Sequence, residues 1–457
     1  MEVLTCNSSS EKKNKAMKRL TLILAAFLLP LTAIFAGGTE EFRVNGLKVI
    51  HRQTPKDVIS VRLFIKGGTA NYTKANEGIE QLALELAIQG GTETLDKVAF
   101  QTKAEQIGAQ FSSGTTYDFG NLSMTCIKPY WEESWNLFVD AVLNPAMNTD
   151  EFELIRSQAL ANAKSASSDP DSHLRNIAMI NAFGESNNYG KIPSGSEGSI
   201  EGLKLADVKA HYEKIIGKKS TFLVIVGNIS TAELKSKLEA SLGKMDQGRS
   251  SMTETRTLIT EDGHYVEHRD IATNYIRGLM SAPQMAHPDG VPMRVAMSIM
   301  GDRYFEELRT TRSLSYAPAA FYSAGVVNNP YNAVYISTTD PKQSMEVMVA
   351  ELNKVKENGF EEKELKDKKQ TFLTFHYMGL ETSASQSNSL GMAELSGNWK
   401  LAEEFTDKVN EVKLKDINRV LDNYTKAIKW TYLGKQEEVK KEDFRKTKEV
   451  SSERKPY

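Results

Sequence analysis

Seven histidines and two cysteines are the side chains in this 457-residue sequence best suited to holding a transition metal. One stretch, His264-Tyr265-Val266-Glu267-His268, spells H-x-x-E-H. On a helix that spacing brings two imidazoles onto one face, with a carboxylate beside them to activate a metal-bound water. The convergence requires a helix. Here the five residues follow Asp262-Gly263, precede Arg269-Asp270 and carry no helical apolar stripe. Alternation through Tyr265 and Glu267 predicts a strand, on which positions 264 and 268 would stand about 13 Å apart, too far for one zinc. A polar strand edge is expected. An independent zinc peptidase using His264 and His268 is kept as a third reading. His51, His173, His211, His287 and His376 have no helical His or Glu partner at metal spacing and read as surface or satisfied core histidines. Neither cysteine belongs to a zinc-type spacing, and no phosphate loop, dinucleotide fingerprint or G-x-S-x-G elbow is present.

The elements that must position any site follow from periodicity. Phe42 to Ile50 alternates around an Asn45-Gly46 turn, and Val58 to Ile65 is a buried strand ending at Gly67-Gly68. Ile79, Leu82, Ala83 and Leu86 share a face and predict a helix over 78–89. Further helices are expected over 98–107, 130–142, 150–167 (stopped by Asp169-Pro170) and 205–215, with strands over 120–127 and 220–226. Lys204-Leu-Ala-Asp-Val has a counterpart in Lys413-Leu-Lys-Asp-Ile, each opening a helix that leads to a short apolar strand and a glycine, Gly227 or Gly434. The expected fold class is α+β: two homologous α/β-sandwich-like units in tandem. The units are placed at 37–243 and 263–437, joined by a linker over 244–262 and followed by a solvated, charged tail over 438–457. Gly379-Leu380-Glu381-Thr382-Ser383 and Gly391-Met392 read as helix boundaries.

The strand pair, Gly67-Gly68-Thr69, Glu77-Gly78-Ile79 and the helix ending in Gly90-Gly91-Thr92 resemble the amino-terminal half of insulinase/pitrilysin-type peptidases. The duplication fits that family, and the resemblance covers nearly the whole chain after its leader. It implies a half clamshell like that of the processing peptidases. It also implies an H-x-x-E-H helix and a third glutamate ligand on a later helix. In this sequence the two histidine positions fall on Gln81 and Glu85, the general base falls on Leu84, and the third ligand falls on Asn162. Leucine cannot accept a proton, a neutral amide is a poor zinc ligand, and one carboxylate does not make a three-ligand site. The substrate-edge Asn-Ala position is Ser112-Ser113. No metal is therefore expected in this chain.

The second half keeps a different part of the pattern. Gly301 to Arg309, continuing through Thr310-Thr-Arg-Ser-Leu-Ser to Tyr316, is similar to the family's carboxy-terminal motif, in which an Arg and a Tyr seven residues later reach a substrate lying over the other half's zinc. Arg309 and Tyr316 hold those positions. A guanidinium can grip a peptide carbonyl or carboxylate, and a phenol can donate to a developing oxyanion.

Met17-Lys18-Arg19 and the apolar run Leu20 to Ala36 form the pattern of a secretory signal peptide over 1–36, for which Met17 makes a better start than Met1. Removing it leaves 52 basic against 57 acidic side chains, a balance that argues against nucleic acid. Cys126 would then stand alone, as an export compartment permits. The resemblance implies a periplasmic or secreted, non-catalytic subunit that takes its zinc from an insulinase-family partner, with a peptide as substrate and no membrane span after cleavage. The second reading is a peptide-binding or scaffold protein of the same fold, possibly a homodimer.

Overall fold

The computed structural model describes residues 38–250 and 256–448; the segment read as a signal peptide lies outside the described residues. The first half runs β1 (Thr39–Val44), β2 (Leu47–Gln53), β3 (Val58–Lys66), α1 (Ile79–Gln89), α2 (Lys97–Gln106), β4 (Gln110–Thr115) and β5 (Phe119–Ile127). It continues through α3 (Trp131–Leu143), α4 (Thr149–Ser168), α5 (Pro170–Phe183), α6 (Glu197–Gly202), α7 (Leu205–Ile215), β6 (Thr221–Gly227) and α8 (Thr231–Ala240). The second half runs β7 (Gly263–His268), β8 (Asn274–Ser281), α9 (Gly290–Tyr304), a π-helical segment Phe305–Thr311, β9 (Ala319–Tyr322) and β10 (Tyr331–Thr338). After these come α10 (Pro341–Asn358), α11 (Glu362–Gly379), α12 (Ser383–Leu395), α13 (Phe405–Glu411), α14 (Leu414–Tyr424) and β11 (Lys429–Gly434).

The strands make two sheets, ordered β1-β2-β6-β3-β5-β4 and β7-β11-β8-β10-β9. Apart from β1 the two orders are the same. β2 pairs with β6 in parallel, as β7 does with β11, and the remaining pairs in both sheets are antiparallel. Helices correspond as well: α1 with α9, α3 with α10, α4 with α11, α5 with α12 and α7 with α14. The repeated Lys-Leu-x-Asp has one physical job in both halves. The backbone N–H of Lys204 donates to Asp207 at 3.3 Å, and that of Lys413 donates to Asp416 at 3.0 Å, closing the first turns of α7 and α14. The β1–β2 hairpin turns on Asn45 and Gly46, whose φ values of 49° and 97° are those a two-residue hairpin requires.

Each sheet is covered twice. Its own helices fill one face, where Leu63, Leu82, Phe138 and Leu223 meet in the first half and Met297, Ile336, Leu352 and Tyr432 in the second. The other face is covered by a helix from the opposite half. α12 lies on the first sheet, with Leu390 and Trp399 against Phe64, Phe222 and Val224. α5 lies on the second, with Ala178, Met179 and Phe183 against Leu279, Tyr331 and Ala333. Double coverage explains why β3 and β6 are apolar on successive residues instead of alternating.

Several expectations are corrected. Asp169-Pro170 ends α4 but also starts α5: the Asp169 carboxylate accepts from Ser172 N–H at 2.8 Å, and Pro170 takes the first helical position. Within the expected linker, Ile259 is buried, and its N–H donates to Ser281 Oγ at 2.8 Å. The charged end is packed as far as it is described: Val439 and Phe444 join the second core, and Trp430 Nε1 donates to Arg445 O at 2.9 Å. Two apolar residues among many charges suffice to dock it.

Gly391 is not a boundary residue. It sits inside α12 against Phe64, and a Cβ there would lie 2.0 Å from that ring. The ring cannot yield, because it is fully buried and stacked on Phe222 at 4.9 Å. Gly391→Ala is expected to cost about 1–3 kcal/mol by overpacking. Urea unfolding would measure it, and Phe64→Leu in the same chain should recover part of the loss.

Candidate functional site

α1 begins at Gly78, whose φ of 85° is left-handed, and runs between sheet and solvent. Gln81 and Glu85 lie one turn apart on its accessible side. Gln81 Nε2 donates to Glu85 Oε2 at 3.2 Å, and Thr115 Oγ1, from the end of β4, donates to Gln81 Oε1 at 2.8 Å. The two side chains that would have to be imidazoles therefore satisfy each other. Leu84 is fully buried in the first core. Asn162, on the exposed side of α4, accepts from Gln158 Nε2 at 3.1 Å. These donor types do not fit zinc: two amides, a leucine and one carboxylate lack the imidazoles, the base and the charge that a catalytic site needs. Among the described residues no group of three or more His, Cys, Asp or Glu could hold a metal ion.

Below α1 lies a buried polar cluster. Glu80 is fully buried; its Oε2 accepts from Asn71 Nδ2 at 2.9 Å and meets His211 Nε2 at 3.3 Å. Glu77, also buried, accepts from Ile192 N–H at 2.8 Å and pairs with Lys74 at 2.6 Å. A charged residue on the apolar side of a helical pattern, as at Glu80 beside Ile79 and Ala83, was the available clue. These contacts pin α1 to α7 and to the chain before α6.

The literal H-x-x-E-H lies on β7, an edge strand paired in parallel with β11. His264 stacks on Phe444 at 4.7 Å between centroids, and Glu267 accepts from or shares a proton with His173 at 2.7 Å. His268 meets Glu437 at 3.9 Å on the surface. The three motif side chains are each committed to a different neighbour.

Arg309 and Tyr316 are brought together. The π-helical segment ends at Thr311, Ser313 takes a left-handed φ of 54°, and Leu314 N–H returns to Leu308 O at 2.7 Å. This reversal lays the Tyr316 ring 4.3 Å from the Arg309 guanidinium, and the Phe305 ring lies 4.7 Å from the same group. Tyr316 is 79% exposed, although rings of its size are usually at least half buried. Cation–π contact holds the phenol in place while leaving its hydroxyl free of packing.

The purified chain is expected to carry well under one zinc ion per molecule by elemental analysis. Gln81→His with Glu85→His should gain zinc through an i, i+4 imidazole pair, yet hydrolyse nothing, because Leu84 supplies no base. Stoichiometric zinc in the unaltered chain, lost on His264→Ala, would overturn this assignment.

The pattern of the insulinase family (peptidase family M16) matches residues 48–191, and that of the peptidase M16 inactive domain matches residues 202–372. The chain is 21% identical over 429 residues to the non-peptidase homolog YmxG of Helicobacter pylori, covering 90% of this chain and 96% of that one. It is also 21% identical over 260 residues to human cytochrome b-c1 complex subunit 1, covering 56% of this chain and 54% of that one. The peptidase M16 inactive domain from Pseudomonas fluorescens has the same fold, with a TM-score of 0.80 at 17% identity over 87% of this chain and 98% of that one. The periplasmic protease PqqL from Escherichia coli matches with a TM-score of 0.76 at 13% identity, over 88% of this chain but 46% of PqqL. With its tandem sheets and a helix that has lost every ligand position, the chain belongs to the insulinase family as an inactive peptidase homologue.

Proposed function

We propose that this chain is the non-catalytic half of an exported, two-chain zinc peptidase. One observation carries the reading: the positions that would bind metal hold Gln81, Leu84, Glu85 and Asn162, while Arg309 and Tyr316 remain stacked together at the surface. Loss of the first set without the second makes sense if the metal stands in another chain. The match to slightly less than half of PqqL supports the same division, since that longer chain holds more than one stretch of this length. β4, at the end of the first sheet, offers an edge to which an extended peptide could add.

In such a complex Arg309 would hold a substrate carbonyl or carboxylate by charge-assisted hydrogen bonds. The Tyr316 hydroxyl would donate to the oxyanion formed when the partner's site adds water to the peptide bond. This chain would need no cofactor of its own, and export would rest on the leader over 1–36. Among the described residues no helix is long and apolar enough to cross a membrane. The scaffold reading is favoured by one finding, the similarity to a subunit of the mitochondrial cytochrome b-c1 complex.

Mixing the chain with a zinc-bearing homologue from the same genome is expected to give chelator-sensitive cleavage that neither shows alone. Tyr316→Phe should lower kcat by about 10²–10³-fold with little change in KM, because an oxyanion donor acts in the transition state. Equal kcat in that variant removes the role for Tyr316. No activity in any mixture, with the chain instead recovered in a larger assembly, would favour the scaffold.

A further inference from the structure

A cavity of about 940 Å³ opens between α9, α11 and α12, with Arg62 of β3, from the first half, also in its wall. Ligand sites of small molecules commonly span about 300–1,000 Å³. Its walls include Arg62 from β3, Arg294 and Ser298 from α9, Phe372 and His376 from α11, and Met392 from α12.

The charges here are unbalanced. Arg294 lies beside the neighbouring rings of Phe372 and Phe405, 5.3 and 5.1 Å from their centroids, and among the described residues no carboxylate pairs with it. Arg62 donates to Asn121 Oδ1 at 3.0 Å, but its Nε is buried with no acceptor. Among the described residues the wall holds one carboxylate, Asp302, which pairs with Lys368. Burial weakens the hold of both guanidiniums on their protons, and burial together with the Arg294 charge does the same to His376. A guanidinium stays charged regardless, so its desolvation must be repaid by an anion or borne as a cost. The rest of the wall is hydroxyl, apolar and one amide, Asn388, with Phe372, Phe375 and Met392 among the apolar side chains.

We propose that this cavity binds a carboxylate carried on an apolar group, with Arg294 and Arg62 gripping the anion and the phenylalanines covering the apolar part. Two sources share that chemistry: the free carboxyl end of a peptide whose last residue is apolar, and a medium-chain fatty acid. The site lies within one chain and does not depend on a partner subunit or on Tyr316. It also occupies a telling position in the repeat. α9 and α11 are the counterparts of α1 and α4, the two helices that carry Gln81, Glu85 and Asn162. The second half therefore sets Arg294 and His376 on the helices that correspond to those carrying Gln81, Glu85 and Asn162, and Arg62 reaches the same space from β3 of the first half.

Calorimetric titration of the full chain with dodecanoate, and separately with a hexapeptide ending in a free-carboxyl leucine, tests this. At least one should bind with one-to-one stoichiometry. Its neutral analogue, dodecanol or the peptide amide, should bind about tenfold or more weakly. Whichever carboxylate binds more tightly identifies the source. Arg294→Met should lose about tenfold in affinity, while Arg294→Lys should keep most of it. If neither carboxylate binds, if the neutral analogues bind as well, or if Arg294→Met binds equally with an unchanged melting temperature, the proposal fails. The comparison of charged and neutral ligands uses the unaltered chain and stands even if the variants do not fold.

Discussion

Neither sheet can bury both of its faces with helices from its own half. Each has a second apolar face, and an uncovered face of that size would be an aggregation surface. The two halves solve this by exchange. α12 seals the first sheet, with Ser387 Oγ meeting Ser60 Oγ at 2.9 Å and Gly391 pressed against Phe64. α5 seals the second, where Asn181 Nδ2 donates to Trp430 O at 2.8 Å. A third bond between the halves is Asp118, in the turn before β5, which accepts from Val327 N–H at 2.8 Å and from Asn328 Nδ2 at 2.7 Å, and also from the Tyr189 hydroxyl. Burial raises the Asp118 carboxyl above the usual range, and these donors work against that rise. The halves are thus a repeat in topology but one body in packing, and residues from both meet in one cavity.

Packing within the first half holds α1 in place without any metal ligand. α1 is held by Leu82, Leu84 and Leu86 in the core and by Glu80 on Asn71 and His211, contacts that owe nothing to a metal. In small metal-dependent domains, removing the ion removes the folding energy. Here the helix was already paid for by burial. Substituting both ligand positions required only that the new side chains find partners, and Gln81 and Glu85 found each other. The outer face of α1 was free to lose its chemistry, while its inner face was not free to change.

Most strands and the helices of the first half were legible because their signals are local: alternation, a 3.6-residue period, Asn45-Gly46 at a hairpin, Lys-Leu-x-Asp at a helix start. The strand assignment of His264 to His268 followed from the same kind of signal, since a preceding Asp-Gly and an alternating pattern are properties of neighbours in sequence. What was missed depends on distant partners. Pro170 reads as a stop and is also a start, and only the docking of α5 on the second sheet decides that a helix follows. Phe444 reads as one aromatic in a charged run until Tyr432 and His264 are placed beside it. Gly391 reads as a break until the Phe64 ring arrives. The candidate site divides the same way. The emptiness of the α1 positions is visible in the letters, but the stacking of Tyr316 on Arg309 needs the reversal at Ser313. The cavity residues Arg62, Arg294 and His376 stand too far apart in sequence for any pattern to join them.

Duplication supplies the last link. Two copies of one βα plan inherit the same pair of helices facing the same kind of space, so a cleft that can be specialised exists twice. In the first copy, the cleft side of α1 and α4 carries side chains that are neutral or mutually satisfied, and it meets water. In the second copy, the corresponding helices turn Arg294 and His376 toward a cavity roofed by α12, whose position is dictated by the first sheet it must cover. Arg62 joins them only because β3 presents alternate residues to that same covered face, which places Ser60, Arg62 and Phe64 in a row beneath α12. A guanidinium partly buried in such a cavity keeps its charge where Coulomb attraction is less weakened than in open water. The exchange of helices that holds the two halves together is therefore also what turns a surface groove into a place where a small anion would be bound strongly.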